Sequence, residues 1–269
     1  MWRFIAEMRN NYHTHTYRCR HASGTERQYV MNAIKSGFSE LGFSDHCPWP
    51  FDDDFESTCR MHPDEFPGYV KAVRKLGEKF ADDIKIYCGL ECEYYPAMLD
   101  WLKDLKEEYG LDYLILGNHF DTDERPGIYF GRATKADEIH AYADRTTKGM
   151  MTGMFKYLAH PDLCFRSYKA WDDDCVAVSR DLCRCARETG MPLEYNLLGV
   201  RFTAQGASSG LGYPCSKFWE VAAAEDVKCI IGIDAHQSER LTETDAFDKA
   251  ADYLAGLGIE RVEKLEFGK

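Results

Sequence analysis

Seven short apolar runs recur along this chain of 269 residues, and a stretch with helical spacing separates each run from the next. The runs cover residues 9–15, 40–44, 84–90, 113–117, 157–159, 192–196 and 229–233. Strand-sized runs that alternate with amphipathic helices predict an α/β fold with a parallel sheet. With 45% hydrophobic residues the chain can bury a sizeable core, and we expect residues 1–269 to form a single domain.

The predicted helices are recognised by apolar residues three or four positions apart, and several end at a glycine. They begin near residues 24, 65, 96, 136, 173, 216 and 243. For the first of them, Ser23 and Glu26 form an S-x-x-E pattern that predicts a capping box, and Gly37 predicts the end of the helix.

Every predicted strand ends in side chains that can bind a metal ion. The strand ends carry His13 and His15, Asp45 and His46, Glu91 and Glu93, Asn118 and His119, His160 and Asp162, Glu194 and Asn196, and Asp234 and His236. The carboxyl ends of parallel strands meet on one side of a sheet, where the chemistry of such folds collects. Six of the nine histidines lie at these ends and His21 follows closely, which indicates one shared site.

The spacing of the outermost ligands favours a closed barrel over an open sheet. His13 and His15 are two residues apart on the first strand, so both point to the same face, and Asp234 and His236 repeat this spacing at the last strand. Closure would make these two strands neighbours and bring their ligands together. The remaining histidines, His62 and His140, lie outside the strand ends and are expected to serve the surface or packing.

The segments HTHTYRCRHASG, GFSDH, GLECEY, GNHF, AHPD and GIDAHQ resemble the successive motifs of the PHP (polymerase and histidinol phosphatase) superfamily. The resemblance runs from His13 to His236 and is greatest to the histidinol-phosphatase branch. It implies a distorted seven-stranded (β/α)7 barrel, TIM-like, with the active site at the carboxyl ends of the strands. It also implies three divalent metal ions, and a site with many histidines and two carboxylates fits zinc, iron or manganese.

By this resemblance each ion has its own set of ligands. His13, His15, Glu91 and Asp234 would bind the first ion. Glu91 would bridge to a second ion, completed by His119 and His160, while His21, His46 and His236 would hold the third. Candidate catalytic residues are Glu91, Asp234 and His236, and Asp45 and Asp162 are expected to orient ligands or water.

The resemblance places phosphate-binding arginines at Arg166 and Arg201, since a planar guanidinium pairs with two phosphate oxygens. Arg18 and Arg20 lie in the predicted loop between His15 and His21, close to the histidines in sequence. They could contact phosphate or be exposed to solvent in this loop, and both alternatives stay open. The mechanism we hypothesise is attack of a metal-bound hydroxide on phosphorus.

The leading hypothesis is a phosphomonoesterase that converts L-histidinol phosphate to L-histidinol and phosphate in histidine biosynthesis. The alternatives are a phosphodiesterase or nucleotidase of the same family, a non-catalytic metal-binding PHP module, and an amidohydrolase-type barrel. The ligand set of Glu91 with seven histidines disfavours the last of these. A degenerate module would lack ligands, whereas all nine expected positions are filled here.

The small phosphorylated substrate that the resemblance implies is compatible with the composition. A net charge of −12 without a basic stripe argues against a nucleic-acid polymer or an anionic membrane as partner. There is no apolar run of membrane-spanning length and no secretory signal, and the eleven cysteines show no CxxC pair. We therefore expect reduced thiols and a cytoplasmic location, and the oligomeric state stays open.

Overall fold

A computed structural model describes residues 9–51 and 54–267. Six parallel strands lie in these residues: β1 (Arg9–Asn11), β2 (Phe38–Phe43), β3 (Lys85–Cys92), β4 (Tyr113–Leu116), β5 (Leu193–Asn196) and β6 (Cys229–Gly232). The first four form one curled sheet in the order β1-β2-β3-β4, and β5 pairs with β6 in a second. The α/β class and the parallel pairing predicted from the sequence are thereby confirmed.

In the same described residues, eight α-helices connect and cover the strands: α1 (Glu26–Lys35), α2 (Phe66–Lys79), α3 (Leu99–Glu108), α4 (Ala136–Met151), α5 (Asp173–Thr189), α6 (Leu197–Ala204), α7 (Ser216–Ala224) and α8 (Thr244–Gly256). Within the described ranges, no helix is both long enough and apolar enough to cross a bilayer.

The start of α1 corrects the predicted capping box. The helix is capped by Thr25, with Gln28 reaching back to the Thr25 backbone, and not by Ser23 with Glu26. Glu26 instead accepts a hydrogen bond from the Arg18 guanidinium at 2.8 Å, and Ser23 bridges to Gln237. The predicted stop is confirmed, because Gly37 follows the end of the helix with a positive φ of 76° that suits glycine.

The predicted count of seven strands is not reproduced, because the run at 157–159 is not a full strand. Leu158 alone bridges Leu116 on one side and Leu193 on the other. The Leu116 amide donates to the carbonyl of Tyr157 at 3.0 Å, and the Glu194 amide donates to that of Leu158 at 2.9 Å. This short segment therefore links the two sheets, although Leu158 is its one residue that bridges both neighbours.

The first strand is also shorter than predicted, and it ends at Asn11 rather than at residue 15. The Asn11 side chain binds locally, donating to the carbonyl of His13 and to the hydroxyl of Thr14, which replaces the regular ladder. Beyond it, Thr14 bridges Ala235 in parallel, and the His15 amide donates to the Ala235 carbonyl at 2.9 Å. The segments after β1 and β6 are therefore neighbours, as the barrel prediction required.

Alternate residues of β4 pack on opposite faces of the sheet. Leu114 and Leu116 belong to the large apolar cluster shared with the helices, whereas Tyr113 and Ile115 belong to a smaller cluster with Tyr12. The Tyr113 hydroxyl donates to the backbone carbonyl of Tyr12 at 2.7 Å. Because successive side chains of a strand point to opposite faces of the sheet, this alternation also sets the face on which the polar side chains at the end of the strand lie.

Candidate metal centre

Nine side chains, eight of them from predicted strand ends, meet in one cluster around the Glu91 and Asp234 carboxylates. They are the predicted set of His13, His15, His21, His46, Glu91, His119, His160, Asp234 and His236. Glu91 Oε2 lies 3.4 Å from His13 Nε2, 3.4 Å from His15 Nε2 and 2.9 Å from His46 Nδ1. Its other oxygen, Oε1, lies 2.8 Å from His160 Nε2 and 3.4 Å from His119 Nε2.

Asp234 closes the cluster on the side of β6. Its Oδ1 lies 3.5 Å from His13 Nε2, 3.3 Å from His15 Nε2 and 3.3 Å from His236 Nδ1. His21 joins through His236, since the two Nε2 atoms are 3.0 Å apart. The structure thus brings all nine residues together, although they span more than two hundred positions of the chain.

Two glycines make room for the buried carboxylates. A Cβ atom at Gly117, directly after β4, would overlap Oε1 of Glu91, and one at Gly232, at the end of β6, would overlap Oε1 of Glu194. Both carboxylates are almost completely buried. The glycines in GNHF and GIDAHQ therefore shape the space that each carboxylate fills.

Hydrogen bonds on the outer side of several rings fix which nitrogen faces inward. His13 Nδ1 lies 2.8 Å from Glu194, His119 Nδ1 lies 3.0 Å from Glu93, and His21 Nδ1 lies 2.7 Å from the carbonyl of Cys19. An acceptor at Nδ1 selects the tautomer whose Nε2 carries a lone pair. Such outer contacts are the usual way in which proteins orient metal-binding imidazoles.

Several of the inward atoms lack hydrogen-bond partners. Among the described residues, buried atoms without a partner include His13 Nε2, both ring nitrogens of His15, His46 Nδ1, Glu91 Oε2 and Asp234 Oδ1. Leaving so many polar atoms unpaired in the interior is costly. Their convergence indicates that the cluster is built to bind cations.

The spacing of these atoms suits a metal ion. An ion at about 2.0–2.2 Å from tetrahedral nitrogen and oxygen ligands separates those ligands by about 3.4 Å. The contacts of His13 and His15 with Glu91 and Asp234 lie between 3.3 and 3.5 Å. His13, His15 and Asp234 form one group whose ligand atoms all lie within 4.8 Å of one another, and His21, His46 and His236 form another.

Other groups of this kind cross the predicted ion sets. Glu91 groups with His13 and His160, and also with His15 and His46. Within the described part of the chain, His119 belongs to no group of this spacing, although it reaches Glu91 Oε1. Cys19 does belong to one, with His15 and His236, and sequence reasoning missed it.

The electrostatics of the cluster favour cation binding. Burial lowers the pKa of His46 to about 3, and burial together with His236 and His46 lowers the pKa of His15 well below its usual range. Burial would raise the pKa of Glu91, but the charges of His119, His13 and His46 hold it well below its ordinary value. Neighbouring carboxylates instead outweigh burial at His13 and His119 and raise the pKa of each, so a bound cation would take the place of the protons on these two rings.

The backbone is strained at two of the nine residues. Asp234 and His160 adopt left-handed conformations, with φ of 49° and 31°, which for residues other than glycine cost on the order of 1–3 kcal/mol each. Strain of this kind concentrates at functional sites, where the surrounding structure holds it in place.

A cavity of about 480 Å³ opens above the cluster. One part of its wall is apolar and aromatic, with Phe120, Tyr129, Leu163, Leu198, Phe202 and Tyr213, and another part carries Arg201, Gln205, Gln237 and Arg240. The carboxylates in the lining are Glu91, Glu93 and Asp234, which lie in or beside the cluster. The cavity can therefore hold a small anionic molecule against the cluster.

The two predicted phosphate-binding arginines occupy different positions. Arg201 lines the cavity, with its Nη1 3.5 Å from Glu243. Arg166 is outside the lining: its guanidinium lies 5.0 Å from the ring centre of Phe202 and donates to the carbonyl of Ala207 at 3.4 Å. Burial raises the pKa of Tyr129 above its ordinary value, and the charge of the Arg166 guanidinium partly offsets this rise. Arg166 therefore lies close to Tyr129, which lines the cavity.

Arg18 and Arg20, whose role the sequence left open, make structural contacts. Arg18 pairs with Glu26 at 2.8 Å, and Arg20 donates to the carbonyl of Arg60 at 2.9 Å and pairs with Glu65 at 3.0 Å. Both side chains serve to hold the loops around the cavity.

The two aspartates expected to orient ligands differ in their contacts. Asp45 accepts from the Thr16 amide at 2.7 Å and lies 4.0 Å from His15 Nδ1. Asp162 accepts from the Cys215 amide at 2.6 Å, so it anchors the loop before α7.

Sequence reasoning did not identify Arg60, whose guanidinium pairs with Glu93 at 3.0 Å and with Glu124 at 2.7 Å. Since its side chain is 2% exposed, Arg60 is a buried ion-pair centre beside the cluster.

Comparisons with known proteins agree with the motifs. A family model described as the PHP domain matches residues 11–197. The histidinol-phosphatase of Bacillus subtilis is 26% identical over 254 residues, covering 84% of this chain and 92% of the relative. A Deinococcus radiodurans protein named "Probable histidinol-phosphatase" is 28% identical over 231 residues, covering 84% of this chain and 85% of its own.

A solved structure shows a similar fold. It is the histidinol phosphate phosphatase of Lactococcus lactis, complexed with zinc, L-histidinol and phosphate. It superposes with a TM-score of 0.72 at 16% identity, covering 96% of this chain and 98% of that one.

Proposed function

The chain belongs to the PHP domain family, and on that premise we propose that it is a metal-dependent phosphomonoesterase that hydrolyses L-histidinol phosphate to L-histidinol and phosphate. The observation that carries the proposal is the convergence of nine ligand-type side chains, with unpaired inward atoms, beneath a cavity of about 480 Å³. The curated relatives named as histidinol-phosphatases, which cover most of both chains, support this choice of substrate.

The proposed cofactors are three divalent ions, held by the ligand sets expected from the family. His13, His15, Glu91 and Asp234 hold the first, Glu91 with His119 and His160 the second, and His21, His46 and His236 the third. Zinc, iron and manganese all suit these ligands, and the zinc in the Lactococcus lactis structure makes zinc the first to test. Bound divalent metal would neutralise phosphoryl oxygens and lower the pKa of water from about 15.7 to about 7.

The protein's own side chains supply binding and orientation. Glu194 and Glu93 hold the rings of His13 and His119 with Nε2 inward. Asn196 donates to Glu194 at 2.8 Å and to Asp234 Oδ2 at 3.1 Å, so one amide fixes two carboxylates relative to each other. We keep Glu91, Asp234 and His236 as the proposed catalytic residues, since all three line the cavity where a phosphate ester would meet the cluster.

Phosphate binding by Arg201 and Arg166 is part of the proposal. Arg201 is supported by its place in the cavity lining, and Arg166 by its closeness to Tyr129. Arginine suits this role because its planar group donates two parallel hydrogen bonds to an oxyanion.

The proposed architecture is a distorted seven-stranded barrel formed by one domain, with the segment around Leu158 in the seventh position. The bridges of Leu158 to both sheets and the pairing of Thr14 with Ala235 support closure.

We propose a cytoplasmic location, because all eleven cysteines lie in the described part of the chain and are free thiols, which suits a reducing compartment. The proposed partner is the small substrate, and the net charge of −12 disfavours a nucleic-acid polymer.

A substrate panel tests the activity. The zinc-loaded protein is assayed with histidinol phosphate, p-nitrophenyl phosphate and bis-p-nitrophenyl phosphate, and its metal content is measured by elemental analysis. We expect the highest kcat/KM for histidinol phosphate and the lowest for the diester. Faster turnover of the diester would contradict the proposal and favour the phosphodiesterase alternative.

His13→Ala tests whether the cluster carries the activity. The variant should lose bound metal and turnover of every substrate, because His13 contacts both central carboxylates. His140→Ala is the matched control: it removes an imidazole on α4 that pairs with Asp174 and is 43% exposed. Normal turnover by the His13 variant, or an equal loss in the control, would disprove the assignment.

A further inference from the structure

A pair of arginines shares one carboxylate in the cavity wall. Glu243 Oε1 lies 2.5 Å from Arg240 Nη1, and Glu243 Oε2 lies 3.5 Å from Arg201 Nη1. Both arginines line the cavity above the metal cluster, whereas Glu243 lines a separate groove between α6 and α8. The carboxylate therefore holds the two guanidinium groups from outside the cavity.

The two guanidinium groups share one paired carboxylate. Both ion pairs run to Glu243, and the side chains of Arg201 and Arg240 are only 16% and 29% exposed. Burial and the neighbouring charge of Arg240 lower the pKa of Arg201, despite the opposite effects of Glu243 and Asp234. An anion in the cavity would therefore stabilise two partly buried cations that repel each other.

Arg240 is also held in a defined place. It lies on a short 3-10 helix, Ser238–Thr242, that begins two residues after His236, and its Nη2 donates to the side chain of Gln237 at 2.6 Å. Its distance from the cluster is thus set by the same loop that carries Asp234 and His236. A guanidinium fixed in this way loses little freedom when it binds an oxyanion.

We propose that Arg240, together with Arg201, binds the phosphoryl oxygens of the substrate, and that Glu243 aligns the two guanidinium groups. This inference rests on the proposed phosphomonoesterase function and adds a phosphate-binding residue to it. The neighbouring apolar wall, with Tyr129 and Tyr213, is left for the rest of the substrate.

Binding of inorganic phosphate tests the proposal without turnover. Calorimetry on the zinc-loaded protein compares wild type with Arg240→Ala, Arg240→Lys and Arg201→Ala, with zinc content measured for each. We expect Arg240→Ala and Arg201→Ala to bind phosphate roughly 10- to 100-fold more weakly, as for the loss of a hydrogen bond to a charged group. Arg240→Lys should fall between, because it keeps the charge but not the planar fork.

Arg180→Ala is the matched control, since Arg180 lies on α5, is 55% exposed and is 3.9 Å from Glu225. It should bind phosphate as wild type does. Phosphate affinity of Arg240→Ala within about 2-fold of wild type, or a loss of zinc from that variant, would overturn the proposal.

Steady-state kinetics separates phosphate binding from recognition of the rest of the substrate. With Arg240→Ala, KM should rise by similar factors for histidinol phosphate and p-nitrophenyl phosphate, because both share only the phosphoryl group. A rise confined to histidinol phosphate would refute the phosphate role. If the wild type fails to hydrolyse histidinol phosphate yet binds phosphate through Arg240, the proposed substrate fails and this inference stands.

Discussion

Glu194 is a single residue on which two of the proposed ligands depend. Its Oε1 lies 2.8 Å from His13 Nδ1, and its Oε2 accepts from the His160 amide at 3.0 Å. Burial lowers the pKa of His13, but Asp234, Glu194 and Glu91 together raise it well above its usual range. The ring is therefore both oriented and made more basic by a carboxylate that need not touch a metal ion.

Glu194→Gln should weaken metal binding while leaving the fold intact. Glutamine keeps the shape of the side chain but removes the negative charge that Glu194 places beside His13. Its NH2 group would also face the N–H donors of His160 and Asn196, which the glutamate oxygen accepts. We expect zinc affinity to fall about 10- to 100-fold, measured by competition with a chelator. Glu188→Gln, at an exposed position of α5, is the control. Unchanged zinc affinity in the Glu194 variant would show that this contact does not support the ligand.

The sequence was sufficient to find eight of the nine clustered residues because they lie at or shortly after predicted strand ends, and the family resemblance selected these eight, with His21, from the other polar residues there. Six of the histidines lie directly at the ends of apolar runs, and parallel strands bring their ends together whatever the details of packing. Arg60 and Arg240 could not be found in this way, because they lie away from strand ends, in segments whose path depends on tertiary contacts. Glu194 was visible as a polar strand end, but its partner His13 is 181 positions away.

At the scale of secondary-structure elements, the room left between neighbouring strands positions the ligand side chains as much as the strands do. Glu91 is at the end of β3 and leans over Gly117, which follows β4 in the next position of the sheet. The register pairs Cys92 with Leu116, so Gly117 is the next residue along. A glycine is required there by close approach, not by its backbone conformation.

Gly117→Ala should displace Glu91 and lower metal affinity, because the added Cβ overlaps the Glu91 carboxylate. We expect roughly 10-fold weaker zinc binding, with a parallel loss of kcat/KM. Gly256→Ala, in α8 with open space around it, is the control and should raise stability by about 0.5–1 kcal/mol. Wild-type zinc affinity in the Gly117 variant would mean that Glu91 has room to move without losing its contacts.

Arg60 joins three segments of the cavity rim. It donates to the carbonyl of Cys47 at 2.8 Å and pairs with Glu93 at the end of β3 and with Glu124 in the loop after β4. Arg60→Met would leave two buried carboxylates without their cation, which should cost about 3–5 kcal/mol of unfolding free energy. Urea denaturation measures this loss.

Arg74→Met provides the comparison for Arg60. Arg74 pairs with Asp112 at 2.8 Å but is 38% exposed, so its removal should cost at most about 1 kcal/mol. Equal losses in the two variants would contradict the special role of the buried ion pair.

At the scale of the whole molecule, the segments after β1 and β6 lie side by side, paired through Thr14 and Ala235. The sequence predicted that the first and last strands would be neighbours from the matched spacing of His13 with His15 and Asp234 with His236, and this pairing agrees with that prediction. The count of strands could not be predicted as well. Apolar runs mark what is buried, whereas a strand requires several consecutive residues paired in register, and in the buried segment around Leu158 only Leu158 bridges its neighbours.

Burial of thiols throughout the molecule should make its stability fall at alkaline pH. Burial raises the pKa of Cys88, Cys183 and Cys229 to about 12, whereas in the unfolded chain a thiol titrates near pH 8.5. Between these values the unfolded state has lost the proton that the folded state keeps, so the free energy of unfolding decreases as pH rises. In this pH range each such thiol lowers the free energy of unfolding by about 1.4 kcal/mol for every pH unit.

Cys88→Ala isolates one such thiol. The variant is less stable than wild type at pH 8, and this deficit should shrink by about 1.9 kcal/mol between pH 8 and pH 10, since only the wild type still has the Cys88 proton to lose on unfolding. Urea denaturation with a reductant at both pH values measures the deficit, and titrations common to both proteins cancel in the difference. Val73→Ala, a buried truncation without a proton, should keep a constant deficit. A constant deficit for Cys88→Ala as well would show that the buried thiols do not link stability to pH.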